Sequence, residues 1–214
     1  EYGAVYALWQ MAKTLQMDTM IYSRSEQWRN DVLAMIVGRL VYQGSKLSLT
    51  NLYDTTALWE LAGHERGIRP DVETHCYEPL DRLLERQAAI QKALAKKHLQ
   101  EGCMILYDIT SSYVEGDYAN SELVAYGYNR DGKRGHEQIV IGLLTNQEGC
   151  PVAVEVFKGN TSDQTTVLGQ AKKIAEDYGV KSVVFAGDRG MLTPKRIEEV
   201  TELGYKTLTA LTHP

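Results

Sequence analysis

The hydrophobic pattern of the chain changes once, near Gly102, and this change restricts the fold more than any other feature. Before Gly102, apolar residues recur at the three- and four-residue spacing of helices, as in residues 26–42. After Gly102, short apolar runs alternate with helical segments in the order strand, strand, strand, helix, strand, helix, strand. The sequence therefore predicts an all-helical N-terminal region over residues 1–101 and an α/β region over residues 102–214.

The connections between the predicted strands narrow the topology. Only the first three strands can be joined by antiparallel turns, because helices separate the later strands and imply parallel crossovers. This arrangement predicts a ribonuclease H-like mixed sheet with the spatial strand order 3-2-1-4-5. Strands one and four are then parallel neighbours, and open α/β sheets bind ligands at the carboxyl ends of such strands. Asp108, within strand one, and Asp188, at the end of strand four, are expected to meet there.

Two acids at this place favour a metal site. Asp108 lies in an apolar run that reads as a buried strand, where an unpaired carboxylate is costly. Two facing carboxylates also repel each other unless a cation lies between them. Mg²⁺ accepts few protein carboxylates together with water and phosphate oxygens. Two such ions, about 3.5–4 Å apart, can activate a water or a 3′-hydroxyl and stabilise the leaving oxygen.

Four segments carry a more specific pattern. They are residues 106–111 (LYDITS), 126–132 (YGYNRDG), 155–163 (EVFKGNTSD) and 186–191 (AGDRGM). Together they resemble consecutive signatures of insertion-sequence transposases of the DDE type, in the cut-and-paste group with a Tyr-Arg-Glu-Lys signature. The resemblance implies a DNA transposase that cuts at the ends of its element and joins them to target DNA.

The same resemblance implies the site and its partners. Asp108 and Asp188 would be catalytic acids and metal ligands, with Mg²⁺ as the cofactor and Mn²⁺ as a substitute. The partners would be transposon-end DNA and target DNA, and the active complex would be a homodimer. A transposase of this kind would act in the bacterial cytoplasm, associated with the nucleoid, and would not bind a membrane.

The family pattern also requires a third acid, a glutamate on a helix after strand five. No such helix follows before Pro214, and Glu198 and Glu199 precede strand five. We therefore expect a catalytic core truncated before its third acid. One alternative is then an inactive remnant that only binds DNA or dimerises.

A second alternative is a phosphatase of the haloacid dehalogenase type, in which a strand-borne Asp and a later Gly-Asp segment bind Mg²⁺. That chemistry needs a second Asp two residues after the first, and Thr110 stands there. The predicted antiparallel hairpin over residues 138–157 also suits a wholly parallel sheet poorly. This interpretation ranks below the other two.

Candidate DNA contacts lie close to the four segments. They are Arg130, Lys133, Arg134, Lys158, Asn160 and Arg189. For Asn160 the preferred interpretation is helix capping, because residues 161–164 have the form of a capping box. Arg189 either contacts a phosphate or pairs with Asp188. The net charge of −5 argues against a nucleic-acid binder with a basic surface throughout, but it leaves room for a local basic rim.

The aromatic residues and cysteines indicate ordinary structural roles. Tyr126 and Tyr128 are interpreted as packing residues, and Trp9, Trp28 and Trp59 as the core of the helical region. The three cysteines are far apart in sequence, so we do not expect a disulfide framework. We expect the protein to be in a reducing compartment.

Overall fold

The computed structural model describes residues 2–128 and 135–210 of the chain. It divides into two compact units, Glu1–Ile90 and Gln91–Pro214. Each unit has a hydrophobic core of its own. The division falls inside a long helix, Glu78–His98, and therefore before the change of pattern at Gly102.

The first unit is helical, as the sequence predicts. Its elements are α1 (Gly3–Thr14), α2 (Met17–Ile21), α3 (Gln27–Tyr42), α4 (Lys46–Thr50), α5 (Leu58–Leu61), a π-helical turn (Glu73–Tyr77) and the start of α6 (Glu78–His98). Trp9, Trp28 and Trp59 are buried in its core, which confirms their predicted role.

The second unit contains one mixed sheet. Its elements after α6 are β1 (Cys103–Tyr113), β2 (Gln138–Asn146), β3 (Pro151–Lys158), α7 (Asp163–Glu176), β4 (Val183–Ala186), α8 (Pro194–Glu202) and β5 (Lys206–Leu208). The strand order is β3-β2-β1-β4-β5. β1, β2 and β3 pair antiparallel, whereas β4 pairs parallel with both β1 and β5. The predicted strand order is confirmed.

One face of the sheet is covered by the core of this unit. Ile105, Tyr107 and Ile109 alternate along β1 and are buried together with Val167 and Ala171 of α7. The Tyr107 hydroxyl donates a hydrogen bond to Thr166 Oγ1 at 3.0 Å, which joins β1 to α7. Burial raises the pKa of Tyr107 to about 12, so this side chain remains a neutral donor at physiological pH.

The opposite face of the sheet is open among the residues described. Large apolar side chains are exposed along it, namely Leu106, Leu143, Val154, Val156 and Leu208. Asp108 lies on this face beside Leu143 of β2 and is exposed. The prediction of a buried Asp108 is therefore wrong. The reason is that β1 has apolar residues on both faces, which hides the alternation between covered and open sides.

The tight connection between β2 and β3 follows from local chemistry. Asn146 Oδ1 accepts hydrogen bonds from the backbone amides of Glu148 and Cys150, at 3.0 and 2.9 Å. Gly149 has a φ of 79°, a conformation that glycine adopts without strain. These features confirm the predicted antiparallel hairpin, which a wholly parallel phosphatase sheet would lack.

Within the two described ranges, no helix combines the length and the apolar character that crossing a bilayer requires.

Adjacent residues on opposite faces of β1 give a direct test of this fold. Ile105 is 0% exposed, so Ile105→Ala is expected to lower the free energy of unfolding by about 3 kcal/mol. Leu106 is 40% exposed, and Leu106→Ala is expected to cost about 1 kcal/mol or less. Urea denaturation followed by far-UV circular dichroism measures both. Equal losses would contradict the assignment of the two faces.

Candidate metal and nucleic-acid site

The pairing of β1 with β4 brings the two predicted acids to one edge of the sheet. The last pair of Cα partners is Leu106 and Ala186. Asp108 and Asp188 each lie two residues beyond that pair. Gly187 N still donates to Leu208 O at 3.2 Å, so the backbone stays hydrogen bonded to β5 one residue past the end of β4. Because side chains alternate along a strand, Asp108 shares the exposed face of β1 with Leu106, and Asp188 lies in the exposed segment that directly follows β4.

Each carboxylate is held through one oxygen by backbone amides. Asp108 Oδ1 accepts a hydrogen bond from Ile109 N at 2.8 Å. Asp188 Oδ1 accepts from Gly190 N, and from Met191 N at 3.3 Å. Among the residues described, the Oδ2 atoms of the two aspartates accept no hydrogen bond. Both side chains are exposed, so one oxygen on each acid can reach a ligand from solvent.

This donor set fits a hard divalent cation. Mg²⁺ and Mn²⁺ prefer carboxylate oxygens and retain several water ligands. The exposed carboxylates, each with a free oxygen, provide the oxygen ligands. The open face of the sheet gives access to the water ligands. The backbone amides of Gly190 and Met191 both donate to one oxygen of Asp188. An aspartate at this position therefore also stabilises the turn after β4.

A cleft of about 280 Å³ lies next to the turn that carries Asp188. Its lining consists of Tyr128, Val140, Gly190 and residues 160–164. Asn160 is exposed and faces this cleft, which keeps a ligand contact open for it.

The predicted capping box over residues 161–164 is not formed. α7 begins at Asp163 with Ser162 as its N-cap, and Ser162 makes no side-chain capping hydrogen bond. Three residues after Ser162 stands Thr165, whose hydroxyl donates to Ser162 O at 2.6 Å. The helix therefore begins one residue later than the motif requires, and Gln164 is out of register for a capping box.

The predicted basic contacts divide into two groups. Lys158, at the end of β3, and Arg189, directly after Asp188, are both exposed. Within the described part of the chain, Arg189 forms no ion pair with Asp188, so its guanidinium is available to an outside anion. The remaining three candidates lie outside the described residues: Arg130, Lys133 and Arg134.

A buried glutamine that sequence reasoning missed joins two of the four signature segments. Gln138 is 1% exposed, and its Nε2 donates to Gly159 O at 2.8 Å and to Tyr128 O at 3.1 Å. Its backbone exchanges two hydrogen bonds with Ala125, at 3.0 and 3.1 Å. Gly159 N in turn donates to Leu123 O at 2.9 Å. The segment that contains Ala125 and Tyr128 is thereby fixed against the end of β3, beside the cleft.

Two glycines allow this contact. A Cβ atom on Gly127 would lie 2.0 Å from Gly159 O, and one on Gly159 would lie 2.0 Å from Gln138 O. Both obstacles are backbone atoms, which cannot move aside as a side chain can. The signal was present in the sequence, since each glycine lies inside a signature segment, but nothing in the sequence paired them.

The tyrosines of the same segment do not pack in a core. Tyr126 is 66% exposed and Tyr128 is 84% exposed, so their predicted packing role is wrong. The backbone contacts of their neighbours hold the segment instead, which leaves both rings at the surface. Tyr128 also lines the cleft.

One protein-family model matches more than half of the chain. The model of a family described as "Transposase DDE domain" matches residues 100–213. A piggyBac transposase synaptic complex with hairpin DNA is 11% identical with a TM-score of 0.49, over 87% of this chain and 41% of that chain. A Mos1 transposase paired-end complex with the left transposon end is 12% identical with a TM-score of 0.34, over 83% of this chain and 57% of that chain. The chain thus spans less than two thirds of either structure, and no curated protein matches it.

The glycine contact beside the cleft can be tested with a matched pair of substitutions. Gly159→Ala forces a Cβ against backbone oxygens and is expected to destabilise the protein by about 3 kcal/mol or more. Gly169→Ala, inside α7 with open space around it, is expected to stabilise by about 0.5–1 kcal/mol. Chemical denaturation compares the two variants. A Gly159→Ala variant as stable as wild type would contradict the contact.

Proposed function

This chain belongs to the family of transposase DDE domains, and we propose that residues 102–214 form part of a catalytic core that cleaves and transfers DNA strands. The observation that supports the proposal is the parallel pairing of β1, which contains Asp108, with β4, which ends two residues before Asp188. In this proposal residues 1–101 are a separate helical region.

Asp108 and Asp188 would hold the metal through their free Oδ2 atoms, with Mg²⁺ as the ion and Mn²⁺ as a substitute. Once bound, such ions activate a water or a 3′-hydroxyl and stabilise the leaving oxygen of a phosphodiester. The backbone amides of Ile109, Gly190 and Met191 fix the opposite oxygens, so that the two carboxylates keep their orientation. Preorganised ligands of this kind lose little freedom when an ion binds.

The DNA would lie across the same edge of the sheet. Lys158, at the end of β3, and Arg189, directly after Asp188, are exposed cations that would bind backbone phosphates, and Asn160 would contact DNA from the cleft. We extend this proposal to Arg130, Lys133 and Arg134 from their sequence positions. A local group of cations reconciles DNA binding with the net charge of −5, because binding depends on where the charge lies.

The wider proposal concerns the biological assembly. The DNA partners would be transposon ends and target DNA, and the active form would be a homodimer in the bacterial cytoplasm, associated with the nucleoid. The alternative is a fragment that binds DNA or dimerises without cleaving.

Substitution of the two acids tests the metal site. Asp108→Asn and Asp188→Asn preserve size and remove a charge, so Mn²⁺ binding measured by electron paramagnetic resonance should weaken about 100-fold or more. Nicking of supercoiled DNA with Mg²⁺ or Mn²⁺ should be lost in both variants. The control is Asp177→Asn, an exposed acid at the far end of α7, which should change neither readout.

The outcomes separate the two candidate functions. Nicking by wild type but not by the two variants supports the catalytic core. Mn²⁺ binding without nicking supports the non-cleaving fragment. Nicking that survives both substitutions would refute the assignment of Asp108 and Asp188.

DNA binding has its own test. Arg189→Ala and Lys158→Ala should each weaken binding to duplex DNA of any sequence and lower the salt dependence by about 0.9 in log–log slope, the value for one phosphate contact. Lys181→Ala is the control, because Lys181 is exposed before the amino end of β4, at the opposite edge of the sheet. Fluorescence anisotropy at several salt concentrations measures the slopes. An unchanged slope in both variants would remove these residues from the interface.

A further inference from the structure

A second group of potential metal ligands lies in the helical unit, Glu1–Ile90. Asp31 of α3, His64 after α5 and His75 of the π-helical turn each offer a ligand atom, and these atoms all lie within 4.8 Å of one another. His64 Nε2 is 2.6 Å from Asp31 Oδ1, and His75 Nδ1 is 3.2 Å from Asp31 Oδ2. The histidines are 33 and 44 residues away from Asp31 in sequence, so the fold alone assembles the group.

The burial of Asp31 makes this group unusual. Its side chain is 1% exposed, and a buried carboxylate needs a hydrogen-bonded partner charge or a metal. Within residues 2–128 and 135–210, the ion-pair partners of Asp31 are His64 and His75. A neutral imidazole leaves the buried negative charge uncompensated, whereas a divalent cation bound to both rings neutralises it.

Hydrogen bonds hold the Asp31 carboxylate in place on one side of this group, and a cleft opens the other side to solvent. Gln27 Nε2 donates to Asp31 Oδ1 at 2.8 Å and to Ala62 O at 3.0 Å, which fixes the carboxylate against the end of α5. On the other side Asp31 and His75 line a cleft of about 380 Å³, with Glu78 on its wall. A cation could therefore exchange with solvent and take a water or another oxygen as a further ligand.

The backbone at His75 is also specialised. His75 lies in a π-helical turn, a rare geometry that is frequent at functional sites. The turn is anchored where Thr74 N donates to Asp71 Oδ1 at 2.9 Å. The rings of His64 and His75 lie 4.5 Å apart and nearly perpendicular, which points two different ring nitrogens at one carboxylate.

We propose that Asp31, His64 and His75 form a binding site for a borderline divalent cation of the Zn²⁺ class, with a further coordination position open to the cleft. Two imidazoles and one carboxylate suit Zn²⁺ or Co²⁺ better than Mg²⁺. Ligands about 2.0–2.1 Å from one tetrahedral ion lie roughly 3.3 Å apart. The contact between His75 and Asp31 already has this spacing, whereas the contact between His64 and Asp31 is shorter, at 2.6 Å, and would lengthen when an ion enters. The ion would connect α3, the segment after α5 and the π-helical turn.

The test uses the whole 214-residue chain carrying Asp108→Asn and Asp188→Asn, so that the acids of the sheet edge do not bind the probe metal. After chelator treatment and dialysis, Co²⁺ is added and the visible absorption is recorded. An intense band typical of tetrahedral coordination is expected, saturating at one ion per chain. Zn²⁺ should displace Co²⁺ and raise the thermal midpoint, whereas Mg²⁺ should do neither.

Two variants decide the ligands. His75→Gln changes the most exposed member of the group and should weaken Co²⁺ affinity at least tenfold while the circular dichroism spectrum is kept. His98→Gln, which alters a histidine outside the group, should bind as the parent does. The unsubstituted 214-residue chain gives a second test, because its thermal midpoint can be measured with Zn²⁺ and with chelator. No tetrahedral band and no Zn²⁺-dependent midpoint would overturn the proposal and leave a metal-free hydrogen-bonded triad, as would parent-like affinity in His75→Gln.

Discussion

The parallel pairing of β1 with β4 is the constraint on which the candidate site depends. The strands meet through Leu106 and Ala186, and their buried partners Ile105 and Phe185 lie in the core on the covered face. Because side chains alternate strictly, a slip of one residue would send Asp108 to the covered face. The apolar packing of α7 against β1 therefore sets the position of a polar group that the core itself never contacts.

Much of this arrangement could be predicted because it depends on local pattern. Apolar runs separated by amphipathic helices fix which strands are parallel, so that Asp108 lies in β1 and Asp188 directly follows the parallel neighbour β4. The side on which Asp108 lies could not be predicted, since Leu106 is as apolar as Ile105 although one is exposed and the other is buried. Only the burial of one sheet face distinguishes them, and burial is a property of the assembled fold.

Contacts between distant polar groups escaped prediction for a different reason. Gln138 reaches Gly159 across 21 residues, and Asp31 reaches His75 across 44, in neither case with a recognisable spacing. The two kinds of acid in the chain also differ in environment. Asp108 offers exposed oxygen to a hydrated ion, whereas Asp31 is enclosed beside imidazoles. One chain thus presents hard and borderline donor sets in separate units.

The close approach of Gly127 and Gly159 has an evolutionary consequence. The hydrogen bonds Ala125–Gln138 and Leu123–Gly159 join main-chain atoms, and the Gln138 side chain adds bonds to two further main-chain oxygens, whereas Tyr126 is exposed. Residues such as Tyr126 can then be exchanged without loosening the junction. Relatives would be free to vary the exposed side chains beside the cleft, and so retune what it accepts, while the two glycines preserve its frame.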